Sequence, residues 1–192
     1  MSTTERVVFL RGRKTILRPP TKSDVPLILR WINNPDVRVF LSTVRPITEV
    51  GEAAWIESLA QQESEVVLLI ETTDRVPIGM MGLHRIDPVH RTAMTGAYIG
   101  ETAYWGKGYG QDAKMAMLEY AFHTLNLRKI NSQTYSFNRR SAEYNMRCGY
   151  RIEGRLKRQF FRKGRYYDTI LLCVFREWWE PKWKKYRRTG RL

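Results

Sequence analysis

The sequence predicts an α+β domain, a mixed sheet flanked by helices. Three observations point there. Residues 65–72 and 76–86 are β-rich runs joined by Thr73, Asp74 and Arg75, the pattern of an antiparallel pair with a tight turn. Residues 151–161 and 166–175 repeat that arrangement around Lys163, Gly164 and Arg165. Between the two pairs, a strand at 94–100 runs through a glycine-rich loop into a segment where Ala113, Met117, Tyr120, Ala121 and Leu125 recur at helical spacing.

The other elements follow in chain order. Residues 7–18 alternate around Gly12 and Arg13 and read as an opening strand or hairpin, stopped by Pro19 and Pro20. Ser23 and Asp24 can cap a helix in which Leu27, Ile28, Trp31 and Ile32 share a face, and Pro35 ends it. Thr48 caps a second helix carrying Ala53, Trp55, Ile56 and Leu59. Residues 128–136 form another strand, and Asn138 can cap a short helix reaching Arg147.

Length and composition set the bounds. A chain of 192 residues is one domain of ordinary size, read here as a single unit at 1–180 with a basic tail at 181–192. Glu5 and Arg6 do not suit a signal peptide, and no apolar run is long enough to span a membrane, so a cytoplasmic location is expected. Two cysteines, Cys148 and Cys173, fit free thiols better than a disulfide framework. His84, His90 and His123 form no metal-ligand pattern, so no metal site is expected. The net charge of +14 is concentrated partly in the tail, where six basic residues interleave with Trp183 and Tyr186. Such a stretch can meet a ribosomal protein or RNA, or can be a solvated terminal segment.

Chemistry enters with the loop Trp105-Gly106-Lys107-Gly108-Tyr109-Gly110. Its alternate glycines leave no side chain over the backbone amides, and those amides open a helix, where unpaired N–H groups and the helix dipole favour an anion. A P-loop would need Lys-Ser/Thr after the last glycine, and here Gln111-Asp112 follows. A dinucleotide fold would need G-x-G-x-x-G early in the chain and an acid about twenty residues on; neither is present. A phosphate or pyrophosphate cradle of another kind remains, beside a glycine-rich turn that holds no ligand.

The same stretch resembles the acetyl-coenzyme A loop of the GNAT superfamily of N-acetyltransferases. Gly108-Tyr109-Gly110 fits the second half of its signature, and Trp105 stands where Gln or Arg is usual. Tyr-Trp-Gly-Lys-Gly-Tyr-Gly is similar to the ribosomal-protein (Rim-type) and spermidine acetyltransferase branch. Asn138-Arg139-Arg140-Ser141, then Gly149-Tyr150 and Glu153-Gly154, match that branch in order and spacing, as does Gly164-Arg165-Tyr166-Tyr167-Asp168. The resemblance covers roughly residues 10–179.

It implies a mostly antiparallel sheet with two strands splayed at the cofactor site, and acetyl-coenzyme A as cosubstrate. The expected cofactor contacts are Tyr98, Ile99, Trp105, Gly106, Lys107, Gly108, Tyr109, Gly110, Gln111, Asp112, Asn138 and Ser141. Asn138 can bond the pantetheine arm or only cap its helix. Ser141 stands where the Rim-type pattern has a serine proposed to protonate the departing thiolate. Many relatives use a tyrosine four residues before the glycine now at 149; here Asn145 holds that place and Tyr144 is displaced by about 100° around the helix. For the proton acceptor, Glu101, His84, Asp87, Glu153 or a water chain remain open. Phe40, Trp31 and Tyr167 can line the acceptor slot or belong to the core, and Asp168 can hold a cationic acceptor or pair with an arginine.

The acceptor itself is left open between a protein N-terminus, a polyamine, an amino sugar and an aminoglycoside. The competing class is a non-enzymatic ribosome- or RNA-binding module, which lacks any recognised nucleic-acid motif here. A monomer or homodimer is expected.

Overall fold

The computed structural model describes residues 7–192; Glu5 and Arg6 lie outside the described residues. The strands are β1 (Leu10–Arg11), β2 (Thr15–Arg18), β3 (Val66–Thr72), β4 (Pro77–Asp87), β5 (Thr92–Ile99), β6 (Lys129–Tyr135), β7 (Arg151–Arg162) and β8 (Arg165–Phe175). The helices are α1 (Val25–Ile32), α2 (Pro35–Arg38), α3 (Glu49–Ser58), α4 (Tyr109–Glu119), α5 (Arg139–Arg147) and α6 (Arg176–Thr189). The eight strands form one sheet in the order β1-β2-β3-β4-β5-β6-β8-β7. Every neighbouring pair is antiparallel except β5 and β6.

That one parallel pair shapes the molecule. β5 and β6 are in register only at Thr92/Lys129, Ala93/Ile130 and Met94/Asn131. Beyond Met94, β5 stays with β4 as far as Ile99, while β6 stays with β8 as far as Tyr135. The two strands therefore diverge, and a fork opens in the middle of the sheet whose inner edges no longer pair strand to strand.

Side chains alternate across the sheet and feed two cores. On one face Leu68, Ile70 and Met81 pack with Ala113, Met117, Phe122 and Trp179. On the other, Leu69 and Met80 pack with Val25, Ile28, Trp31 and Ile56. The helix expected to start at Ser23 and Asp24 does so differently. Thr21 and Asp24 form a capping box on a short turn, and Asp24 also receives two hydrogen bonds of 2.8 Å from Arg18. Pro35, expected to stop that helix, also begins α2, where its missing N–H is harmless.

α4 is the central helix. Every residue from Asp112 to Leu118 is buried, Lys114 included, so it is enclosed on all sides rather than amphipathic. α6 covers one of its flanks. Trp179 is fully buried, Trp183 stacks on it at 5.2 Å, and the buried Tyr186 donates to the Asp112 carboxylate. The division expected at residue 180 thus falls inside a packed helix, and only its outer face carries the exposed lysines and arginines.

Candidate active site

The glycine loop closes one end of the fork. Gly106 and Gly108 have φ of +75° and +86°, a region that costs other residues strain. A Cβ at Gly106 would project into open space, and one at Gly108 would lie 3.7 Å from Lys14 Nζ. Among the described residues the N–H groups of 106–111 find no acceptor, whereas Asp112 N–H already bonds Gly108 O at 3.0 Å. Six consecutive free amides at a helix N-terminus fit a pyrophosphate. Lys107 belongs to the loop itself. Lys14, which sequence reasoning missed, reaches it from the β1–β2 turn, donating to Lys107 O at 3.2 Å.

Asp112 has another task. Its carboxylate accepts from Arg13 N–H at 2.9 Å, Lys14 N–H at 2.8 Å and Thr15 Oγ1 at 2.7 Å, as well as from Tyr186. It pins the turn that carries Lys14, so its side chain serves the cradle indirectly. Trp105 also braces the site. Its indole N–H donates to Ile99 O at 2.7 Å and ties the loop to the end of β5. Gly100 N–H bonds Ile78 O on the β4 side, so by strand alternation Ile99 directs its backbone into the fork and Tyr98 directs its own toward β4. The Tyr98 ring packs near Trp31 on the opposite face.

A buried polar cluster lies at the root of the fork. Lys114 Nζ donates to Asn145 Oδ1 at 2.7 Å and to Thr95 Oγ1 at 3.2 Å, and it faces the rings of Tyr144 and Tyr150 at 4.6 and 4.8 Å. Burial pushes its ammonium down to about 8, with the nearby Cys148 acting in the opposite direction. The Tyr144 hydroxyl is buried and has no hydrogen-bond partner among the described residues, and its ring edge lies 3.7 Å from where a Cβ on Gly110 would stand. Burial, then Cys148 and Tyr150, holds this phenol well above the usual tyrosine range.

Asn138 caps α5, its Oδ1 accepting from Ser141 N–H at 3.2 Å. Ser141 is part-buried in the first turn, and among the described residues its hydroxyl makes no hydrogen bond. Glu101 is engaged by the Trp31 indole at 2.8 Å and by Arg30. Of the other acids and bases, His84 pairs with Glu65 at 3.3 Å, Glu153 pairs with Lys129, and Asp87 accepts from His90 N–H. Asp168 pairs with Arg155 within the β7–β8 hairpin. Glu52 on α3 was missed. It is buried, burial raises its pKa, and its charge acts on Tyr98. Its place four residues before Ile56, on an apolar helix face, was the legible signal.

A cleft of about 540 Å³ lies between α2, the loop and the β7–β8 turn, lined by residues including Asp36, Arg38, Phe40, Trp105, Arg162 and Lys163. Phe40, Phe137 and Tyr167 form an aromatic wall beside it, with centroids 6.2 and 4.7 Å apart in sequence. Among the described residues no His, Cys, Asp or Glu group could hold a metal, Cys148 and Cys173 are free thiols, and no helix is long and apolar enough to cross a membrane.

A parallel strand pair that opens over free amides, beside a second cleft, defines an acyl-coenzyme A-dependent transferase. The chain belongs to the GNAT acetyltransferases: the family profile described as acetyltransferase (GNAT) domain matches residues 14–151. It is 26% identical over 175 residues to the SPbeta prophage-derived uncharacterized N-acetyltransferase YokL of Bacillus subtilis, covering 91% of this chain and 97% of that one. It is 27% identical over 161 residues to the spermidine N(1)-acetyltransferase of Escherichia coli K12, covering 83% and 84%. In fold it matches the spermidine N-acetyltransferase from Vibrio cholerae, solved in complex with CoA and spermine, with a TM-score of 0.81 at 23% identity over 87% of this chain and 98% of that one. The spermidine branch of the expected resemblance is thus represented among its relatives. The protein is an acetyl-coenzyme A-dependent N-acetyltransferase.

Proposed function

We propose that the chain acetylates a primary amine which enters through the cleft beside Phe40 and Trp105, while the cofactor's pyrophosphate rests on the amides of 106–111. Those six free amides at the fork carry the reading. In the reaction the amine nitrogen bonds the acetyl carbon, the carbon–sulfur bond breaks, the amine gives up a proton and the thiolate gains one. The Ile99 N–H is placed to polarise the thioester carbonyl. Ser141 and Tyr144 offer hydroxyls for the sulfur. Glu52, shielded and without an ion pair among the described residues, suits the proton acceptor better than Glu101, whose carboxylate holds Trp31 and Arg30. Glu52→Gln should lower kcat with little change in cofactor binding; an unchanged kcat removes it from the mechanism.

Acetyl-coenzyme A at about one hundred times its dissociation constant should stabilise the fold by about 2.7 kcal/mol. A melting curve that does not move at saturating cofactor overturns the reading. The ribosome- or RNA-binding alternative has less support, since Trp183 and Tyr186 point into the protein rather than offering stacking faces. A Vibrio cholerae spermidine N-acetyltransferase is dodecameric, so assemblies beyond the expected monomer or homodimer belong in the reading, and sedimentation decides among them.

A further inference from the structure

The relatives named for spermidine act on a polycation, and the cleft proposed above for the acceptor is itself predominantly cationic. Arg38, Arg162 and Lys163 line it against one lining carboxylate, Asp36. Arg140 stands at its edge, with its guanidinium 4.0 Å from the Trp105 ring and 5.5 Å from that of Phe40. Among the described residues none of these four cations forms an ion pair.

Arg162 is the most informative of them. Its Nη2 donates to Leu41 O at 2.6 Å, and its guanidinium sits 4.9 Å from the Phe160 ring. Its Nε is buried with no partner among the described residues. A buried N–H without an acceptor is costly, and a guanidinium fixed on one side by a carbonyl and an aromatic ring has its remaining donors set for a planar anion. The β7–β8 turn adds Lys163, held at a φ of +48° on the cleft rim between Arg162 and Gly164.

We propose that the acceptor is a primary amine whose own molecule carries an anionic group, a carboxylate or phosphate ester bound by Arg162 with Arg38 and Lys163. This rests on the acetyltransferase reading and on the cleft being the acceptor entrance. A polyamine would meet repulsion from three lining cations, whereas an anionic amine would leave its own ammonium end free to enter the fork and lose a proton there.

The test uses thiol release from acetyl-coenzyme A with four acceptors: ethanolamine, O-phosphoethanolamine, an Asp-Glu-headed peptide and spermidine. The anionic amines should exceed ethanolamine in kcat/KM by roughly ten- to a hundredfold, the worth of one charge-assisted contact. Spermidine should be poorest. Comparing O-phosphoethanolamine with the peptide tells a phosphorylated small amine from an acidic N-terminus as the source. Arg162→Gln, and separately Arg38→Gln, should shrink the ratio of O-phosphoethanolamine to ethanolamine, mainly through KM. A preference for spermidine, equal rates on charged and neutral amines, a ratio unmoved in both variants, or turnover of none of the four overturns the proposal. A melting shift with acetyl-coenzyme A in the same preparation keeps that failure separate from failure of the acetyltransferase reading.

Discussion

Lys114 Nζ lies 2.7 Å from Asn145 Oδ1, joining the middle of α4 to α5 beneath the fork. Asn145 occupies the place where the family resemblance leads one to look for a tyrosine. Its amide also donates to Ser141 O at 2.8 Å, so both ends of the side chain are satisfied. The exchange of tyrosine for asparagine and the presence of a buried lysine are therefore one feature: each makes the other tolerable.

A pH dependence follows from this pair. The groups around Lys114 are Thr95, Tyr144, Asn145, Cys148 and Tyr150, and among the described residues no carboxylate pairs with it. The folded chain releases the lysine proton near pH 8, while the unfolded chain keeps it to about 10.4. Between those values the unfolded state binds more protons, so this group's contribution to stability rises with pH. Cys148, whose thiol burial pushes up to about 12, acts in the opposite sense, so the absolute curve mixes the two. The difference between wild type and Lys114→Met removes most of that overlap. It should grow in favour of the wild type by about 3 kcal/mol between pH 7 and 10.5, measured by denaturant unfolding at each pH. A flat difference would show that the ammonium is not buried as described.

The loop glycines should divide by conformation. Gly108→Val forces a β-branched residue to a φ of +86° and sets its side chain over the amides, so cofactor affinity should fall at least tenfold. Gly110 is different, because a Cβ there meets Tyr144 and Ile99 at 3.7 and 3.8 Å, ordinary contact distances. Gly110→Ala should bind within a few-fold of wild type. Isothermal titration with coenzyme A separates the two, and equal losses would mean that the positive φ at Gly108 is not what sets the affinity.

Much of this was legible in sequence because it is local. Strand alternation placed β3, β4, β6 and β8 within about two residues, and the Thr48 and Asn138 caps are both present. The stretch from 181 onward reads as a basic tail because Lys182, Lys184, Lys185, Arg187 and Arg188 dominate its composition, and most of it lies within α6. The inward stripe Trp179, Trp183 and Tyr186, at helical spacing, was the stronger signal. The parts that distinguish the site are long-range. Lys14 meets Lys107 across 93 residues, Lys114 meets Asn145 across 31, and Arg162 meets Leu41 across 121. Periodicity reports which face of an element is buried, and it carries no information on which distant partner satisfies a polar atom.

Ser141 and Tyr144 are the two proposed donors to the thiolate, and the free protein already distinguishes them. They are three residues apart on α5, one turn along the helix, and the Tyr144 ring lies against Lys114 and near Gly110. The phenol is buried with nothing to bond, so Tyr144→Phe should stabilise the cofactor-free protein by about 1 kcal/mol, since an unmet polar group is removed at almost constant shape. Ser141→Ala removes a part-exposed hydroxyl and should leave that stability nearly unchanged. In the reaction, a donor that matters only as charge develops on sulfur lowers kcat without weakening cofactor binding. Ser141→Ala should therefore slow the chemical step by roughly ten- to a thousandfold with coenzyme A affinity retained. If Tyr144→Phe instead carries that loss, the orphaned phenol is the donor and its cost to the free protein is offset when sulfur arrives. Single-turnover rates with melting curves for both variants, with and without coenzyme A, tell these outcomes apart. A chemical step unchanged in both would mean that the thiolate leaves unaided, as its moderate basicity permits, and that α5 only positions the pantetheine arm.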